Sequence, residues 1–279
     1  MAAKKVETDT RFPVPKKLTS HGPARIIAMS NQKGGVGKTT TAVNVAAALA
    51  GYGRKVLVVD LDPQGALTAH FGVDAKPGDI ATIYEAMKGQ VDAKDVIVAT
   101  EVKNLDLMPA NIDLSAAEIE FVTEVAREHI LANVLRKVRD SYDVIIIDCQ
   151  PSLGILTVNA LTAADGVVIP MAADFFALRG VALLLANLVH KVQERLNPVL
   201  KLDGIIITMN ERTSHSREVL ASLYEHFGDK VFKTQVNRTV KFKYATAAQK
   251  PITEYEPNSE AAESYRAVAR ELIARGCSA

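Results

Sequence analysis

Tryptophan is absent from the 279 residues, and aromatics together make up 5%. That disfavours a single-strand binder that stacks bases on rings. Cysteine occurs twice, at Cys149 and Cys277, too rarely for a disulfide scaffold. No apolar run approaches the roughly 18 residues of a membrane span. The first residues carry charges but no apolar h-region, so no secretory signal is read there and the cytoplasm is the expected compartment. Neither sign of charge dominates. The formal net charge is +1, so any nucleic-acid contact has to come from a local patch. His21, His70, His129, His190, His215 and His226 are scattered, without the pairing of a metal site. What is present, 48% hydrophobic and 23% charged residues, is the mix of a soluble globular chain.

The length allows one or two domains, but no repeat or linker divides the chain. Residues 1–24 read as a flexible basic tail with a net +3, interrupted by Pro13, Pro15 and Pro23. A solvated leader is the plain reading, and a weak contact with nucleic acid or an anionic membrane is the alternative. Residues 25–279 read as one domain. Apolar runs over 25–30, 55–60, 105–108, 144–148, 166–170 and 204–209 fit buried strands. Helix-length stretches lie between them, at about 38–50, 115–140, 152–164, 177–195 and 215–227. Continuous apolar strands alternating with helices predict a doubly wound, mostly parallel α/β sheet covered on both faces. A last helix, about 258–275, places Ala262, Tyr265, Val268, Ala269, Leu272 and Ile273 on one face, which is expected to pack on the sheet.

The richest segment runs from Lys33 through Gly34, Gly35, Val36, Gly37 and Lys38 to Thr39 and Thr40, between a strand and a helix. This is where a phosphate-binding loop belongs. Its glycines let backbone N–H groups turn toward phosphate oxygens, and the helix N-terminus adds its positive end. Lys38 can reach the β- and γ-phosphates, and the Thr39 hydroxyl can join the coordination of Mg²⁺. A tight glycine turn without a ligand is the rival reading. Asp60 and Asp62 end the second strand, at the edge where open α/β sheets bind ligands. Asp148 follows four apolar residues, Val144 to Ile147, as the metal-supporting acid of a nucleotide fold would. A general acid/base pair is the alternative for the aspartates.

The segment Lys33-Gly-Gly-Val-Gly-Lys-Thr39, with its additional lysine, resembles the deviant Walker A loop of the ParA/MinD superfamily. Asp60-Leu-Asp62-Pro-Gln-Gly65 resembles that superfamily's first switch, with Ala66 where an Asn is usual, and Cys149 to Gly154 resembles the second, with Gln150 as the local departure. Pro151 to Leu161 and Lys250-Pro-Ile favour the ParA-type, Soj-like partition branch, and the basic amphipathic membrane helix of MinD relatives is missing. The resemblance covers nearly everything from Arg25 onward. It implies a P-loop ATPase using ATP and Mg²⁺, with Lys33 reaching into the partner's site across an ATP-bound homodimer, Asp62 positioning the attacking water, and Thr39, Asp60 and Asp148 supporting the metal. A cluster site like that of the related nitrogenase iron protein is not expected, because Cys149 and Cys277 lack ligand spacing. Both read as structural thiols.

The resemblance also places adenine against Met209-Asn210 and Val236-Asn237-Arg238, where Asn can read the base edge or simply cap a turn. Arg238, Lys241, Lys243 and Lys250 stand in a stretch without acids, as a surface for nonspecific duplex DNA would. A solvated basic loop is the rival. The family's usual motif departs here, an acid, Glu260, precedes the last helix where a basic residue is common, and Arg179 in the stretch Phe175-Phe176-Ala177-Leu178-Arg179-Gly180 replaces a usual acid. The implied function is an ATP-dependent dimerising switch that binds DNA, associates with the nucleoid, hydrolyses ATP slowly and answers to a ParB-like or other stimulating partner, with no membrane role. The alternative is a relative that positions a division or polar complex without DNA. A metabolic P-loop synthetase is a third reading, for which no substrate pocket is identified.

Overall fold

The apolar runs of the sequence become the strands of one sheet. The computed structural model describes residues 9–174, 177–211 and 213–276. Its strands are β1 (Arg25–Met29), β2 (Val56–Leu61), β3 (Val98–Ala99), β4 (Leu105–Met108), β5 (Val144–Cys149), β6 (Gly166–Ala172) and β7 (Lys201–Thr208), in the order β3-β4-β2-β5-β1-β6-β7. β3 pairs antiparallel with β4, and the other pairs are parallel. The helices are α1 (Lys38–Gly51), α2 (Ala66–His70), α3 (Ile83–Met87), α4 (Ala117–Glu120), α5 (Ile130–Arg136), α6 (Ile155–Ala163), α7 (Ala177–Leu184), α8 (His190–Arg195), α9 (Ser214–Phe227), α10 (Lys241–Ala247), α11 (Ile252–Tyr255) and α12 (Glu260–Ala274). This is the expected doubly wound, mostly parallel α/β architecture.

Strand residues are apolar on both sides because both faces are covered. Along β5, Ile145, Ile147 and Cys149 enter one core with residues of α3, α5, α6 and α7, while Val144 and Ile146 enter the other with α1 and α12. Asp60 and Asp148 sit at partner positions of β2 and β5. The two-residue period puts both on the α1 side, two residues beyond Val58 and Ile146. Cys149 is buried and unpaired, whereas Cys277, Phe175 and Phe176 lie outside the described residues.

Four expectations change. The helix expected over 115–140 is broken into α4, α5 and 3-10 turns. Glu124 is extended and Ala126 left-handed, at φ 54°, and no glycine or proline marks the break. Its stabilisation is tertiary: Asn159 of α6 accepts from the Leu131 N–H at 3.0 Å and donates to the Arg127 carbonyl at 2.8 Å. The basic stretch read as a loop carries α10. The apolar face of α12 lies against α1, which itself rests on β2, β5 and β6, so α12 forms a layer outside α1 rather than packing on the sheet. Finally, the stretch read as a tail is tied down in its described part. Arg54 donates to the Lys16 carbonyl at 2.8 Å, Arg11 to the Lys233 carbonyl at 2.8 Å, and the Gly22 N–H to Asp143 at 2.9 Å.

Candidate phosphate-binding site

Between β1 and α1 the chain makes the glycine turn. Gly35 and Gly37 stand at φ 72° and 81°, the left-handed region that glycine alone enters at little cost. A Cβ on Gly34 or Gly35 would meet nothing within 4 Å, so the loop borders open space. Gly37 begins α1 with no side-chain cap and no acid in the first turn. The first N–H groups of the helix, the end that attracts anions, are therefore left to a ligand or to water. Val36 is buried, and its carbonyl accepts from the Thr208 hydroxyl at 2.6 Å, which pins the loop to the end of β7. Lys38 is buried and folds back toward the Lys33 carbonyl at 3.4 Å. Burial lowers its pKa, against the opposing charge of Asp148. Thr39 and Thr40 complete the first turn of α1.

The two strand-end aspartates are in opposite conditions. Asp60 is fully buried and satisfied: it accepts from the Thr68 N–H at 2.8 Å, the Thr68 hydroxyl at 2.7 Å and the Asp62 N–H at 3.2 Å. Burial still pushes its carboxyl up to about 6 against those bonds. Its lone pairs anchor the Asp62–Thr68 turn beside Asp148, its partner position on β5. Asp148 is 1% exposed, and neither oxygen finds a well-formed hydrogen bond among the described residues. Burial and then the nearby Asp60 charge push it up to about 8, while Thr39 and Lys38 pull it back. Such an orphaned buried carboxylate costs on the order of 1–3 kcal/mol or more, which is tolerable where a ligand repays it. Asp62 is half-buried and accepts from the Gln64 N–H at 3.0 Å, with Gly65 left-handed at φ 62°.

Lys33 is exposed and turned outward, ion-paired with Asp174 of its own chain. The structure therefore brings Lys38, Thr39, Asp60, Asp62 and Asp148 to one edge of the sheet and leaves Lys33 at its rim. The late-strand positions also converge. Asn210 and Asn237 form a parallel bridge, with the Asn210 N–H donating to the Val236 carbonyl at 3.0 Å. Beside them lies a cavity of about 180 Å³ lined by Gly37, Thr40, Val236 and Asn237. Sequence reasoning missed further lining residues, Thr208, Phe242, Thr246 and Tyr265. Tyr265 read as a core residue of the last helix and Phe242 as part of a basic loop. Their rings meet edge to face, with centroids 5.5 Å apart. Lys243, expected on a DNA surface, also lines this cavity.

The remaining basic residues are partly committed. Arg238 pairs with Glu211 at 2.8 Å, and Lys241 pairs with Glu256. The exposed Lys250 has its carbonyl bonded by His70 Nε2 at 3.2 Å. No group of three or more His, Cys, Asp or Glu side chains forms a metal cage, and no helix is long and apolar enough to cross a membrane, among the described residues.

The sheet, the glycine loop at its carboxyl edge and the aspartates beside it define a P-loop NTPase of the doubly wound class. A family model described as an AAA domain matches residues 24–202. An uncharacterized protein of Mycobacterium tuberculosis is 54% identical over 95% of this chain and 83% of its own length. The sporulation initiation inhibitor protein Soj of Bacillus subtilis is 47% identical over 90% of this chain and 99% of its own. Among solved structures, cobyrinic acid a,c-diamide synthase from Mycobacterium smegmatis, with a bound ATP analogue and magnesium, matches with a TM-score of 0.78 and 39% identity, over 90% of this chain and 94% of that one. The chain belongs to the Soj/ParA family of chromosome-partitioning ATPases.

Proposed function

We propose that the chain is an ATP-driven dimerising switch that binds duplex DNA without sequence preference and segregates or positions a chromosomal or plasmid cargo. The observation that carries the nucleotide half is the orphaned Asp148 carboxylate beside Lys38 and Thr39, at a glycine turn bordering open space. The donor set fits magnesium, which favours carboxylate, hydroxyl, water and phosphate oxygens. Thr39 and Asp148 would hold it, with Asp60 bracing the adjoining turn. Bound there, the ion neutralises phosphate charge as it develops. The N–H groups from Gly34 to Thr40 and the Lys38 ammonium hold the phosphates. The cavity lined by Val236, Asn237, Phe242 and Tyr265 takes the base, with Asn210 holding its wall.

Asp62 orients the attacking water and accepts its proton. Lys33 completes the partner's site, where a cation meets charge that builds only in phosphoryl transfer. The γ-phosphate thus adds contacts that exist only in the dimer, and its loss shifts the population back to monomers. Hydrolysis is slow and accelerated by a ParB-like or other partner. Arg238, Lys241, Lys243 and Lys250 supply the DNA surface, which places the ATP form on the nucleoid.

A second reading rests on the pairing of Arg238 with Glu211 and Lys241 with Glu256: an ATPase that positions a division or polar complex without DNA. Duplex-DNA binding with ATP, with ADP and without nucleotide, at low and moderate salt, separates the two. The switch requires ATP-dependent affinity that falls with salt and is lost in both Lys33→Ala and Arg238→Ala/Lys241→Ala. Dimerisation with ATP and no DNA binding establishes the second reading instead.

A further inference from the structure

Residues 9–24 form a strap that starts on α12 and runs past the amino ends of the strands. At its far end, His21 Nδ1 and the Gly22 N–H lie 2.7 and 2.9 Å from the Asp143 carboxylate, just before β5. In its middle, the Lys16 carbonyl takes the bond from Arg54, in the turn between α1 and β2. At its near end, the Asp9 N–H donates to Glu263 Oε1 at 3.1 Å, and the Asp9 carbonyl accepts from Arg270 at 3.0 Å. Both of those side chains belong to α12.

Arg270 is the joint. It is 2% exposed, and the same guanidinium donates at 2.7 Å to Glu263 and at 2.7 Å to the hydroxyl of Tyr52, at the end of α1. Its Nε has no partner among the described residues, so loss of the Asp9 carbonyl would add to a cost already present. The strap holds Tyr52 from the other side as well. Arg54, bonded to Lys16, also donates to the Tyr52 carbonyl at 2.9 Å.

Five residues before Arg270, about 7.5 Å along the helix, Tyr265 stands in the wall of the 180 Å³ cavity. Its hydroxyl lies 3.2 Å from that of Thr41 in α1, next to Thr40, which lines the same cavity. The helix α12 is thus bolted to α1 twice, by Tyr265 beside the cavity and by Arg270 under the strap. We infer that the strap, acting through Arg270 and α12, positions the Tyr265 wall of the nucleotide-base site. This rests on the reading above that the cavity takes the base. A wall held in place beforehand does not have to be ordered on binding, and that adds affinity. The strap's bonds along the sheet lie at the amino ends of the strands and the phosphate loop at the carboxyl edge, so the effect belongs to the base and not to the phosphates.

Calorimetric titration of the full chain with ATP and with inorganic triphosphate, both with Mg²⁺, separates base binding from phosphate binding. Asp9→Pro removes the N–H that Glu263 accepts, and should weaken ATP binding about threefold while leaving triphosphate binding unchanged. Asp9→Ala keeps both backbone bonds and should bind ATP as the wild type does. Tyr52→Phe removes one bond of Arg270 at the other side of the joint, and should give the same selective loss even if Asp9→Pro does not fold. Wild type that binds ATP no more tightly than triphosphate overturns the base-site reading, and the role of the strap with it. Wild type that prefers ATP, beside Asp9→Pro and Tyr52→Phe variants that prefer it equally, overturns the strap alone. Equal losses of ATP and triphosphate binding also overturn it, because they report a loosened fold rather than a displaced wall. A loss in Asp9→Ala as large as in Asp9→Pro overturns the backbone joint at Asp9.

Discussion

The phosphate-loop edge and the basic stretch 236–250 both concentrate charge, but they hold it differently. At the loop, titratable groups are buried and under-satisfied: Asp148 has no well-formed hydrogen bond, and burial lowers the pKa of Lys38 against the opposing pull of Asp148 and Asp62. In the basic stretch, two of the charges are already answered outside the core, the exposed Arg238 by Glu211 and the half-buried Lys241 by Glu256. A buried polar group left without partners is expensive and implies a ligand. An exposed ion pair is worth little and implies none. The same residue types therefore support a nucleotide site strongly and a DNA surface only through function.

The largest effect should follow from breaking the first region. Lys38→Ala should weaken ATP binding by about 100-fold in calorimetric titration, from the loss of charge-assisted bonds to phosphate. Arg238→Ala/Lys241→Ala should change it by no more than about threefold, since exposed pairs carry little. Equal losses would erase the contrast between the regions. Next, Asp148→Asn should raise the stability of the nucleotide-free protein by about 1–3 kcal/mol in urea titration, because it removes a buried carboxylate without adequate partners, while abolishing magnesium-dependent nucleotide binding. A destabilised variant would show that Asp148 is satisfied within the fold.

Smaller effects sharpen the second region. Glu256→Ala should release Lys241 and strengthen ATP-dependent DNA binding by about threefold at low salt, with a steeper salt slope. No change would separate Lys241 from the DNA surface. The smallest effect concerns His70, buried against the Lys250 carbonyl. Burial holds its pKa below 6.5, partly offset by that bond. The unfolded chain therefore takes up the proton first. The stability contributed by neutral His70 is present above pH 6.5 and lost as pH falls through the lower folded value. His70→Gln should flatten the stability curve below pH 6.5, and an unchanged curve would show that His70 is not its source.

Most of the sheet was legible because a covered parallel strand must be apolar on both faces, as Val144 to Ile147 are. The loop was legible because few sequences other than a glycine run can place Gly35 and Gly37 in left-handed backbone and still enter a helix. The break near Ala126 was not, since ordinary residues occupy it and its support comes from Asn159, distant in sequence. The short edge strand β3 and helix α10 were equally hidden, because neither carries a periodicity long enough to read. At the site, the division of labour between Asp60 and Asp148 depended on Thr68, whose two bonds to Asp60 no spacing announces. The wall formed by Phe242 and Tyr265 required α10 and α12 to meet.

If Lys33 acts in the partner's site, two variants that are each inactive should complement one another when mixed. Lys33→Ala keeps Asp62 but offers no lysine to its partner, whereas Asp62→Ala offers Lys33 but cannot orient water. In a mixed dimer, one site regains both groups. ATP hydrolysis by each variant alone should be near background, and mixing them should restore it toward a fraction of the wild-type rate. A mixture that forms dimers yet hydrolyses no faster than the two variants apart would contradict the crossing of Lys33.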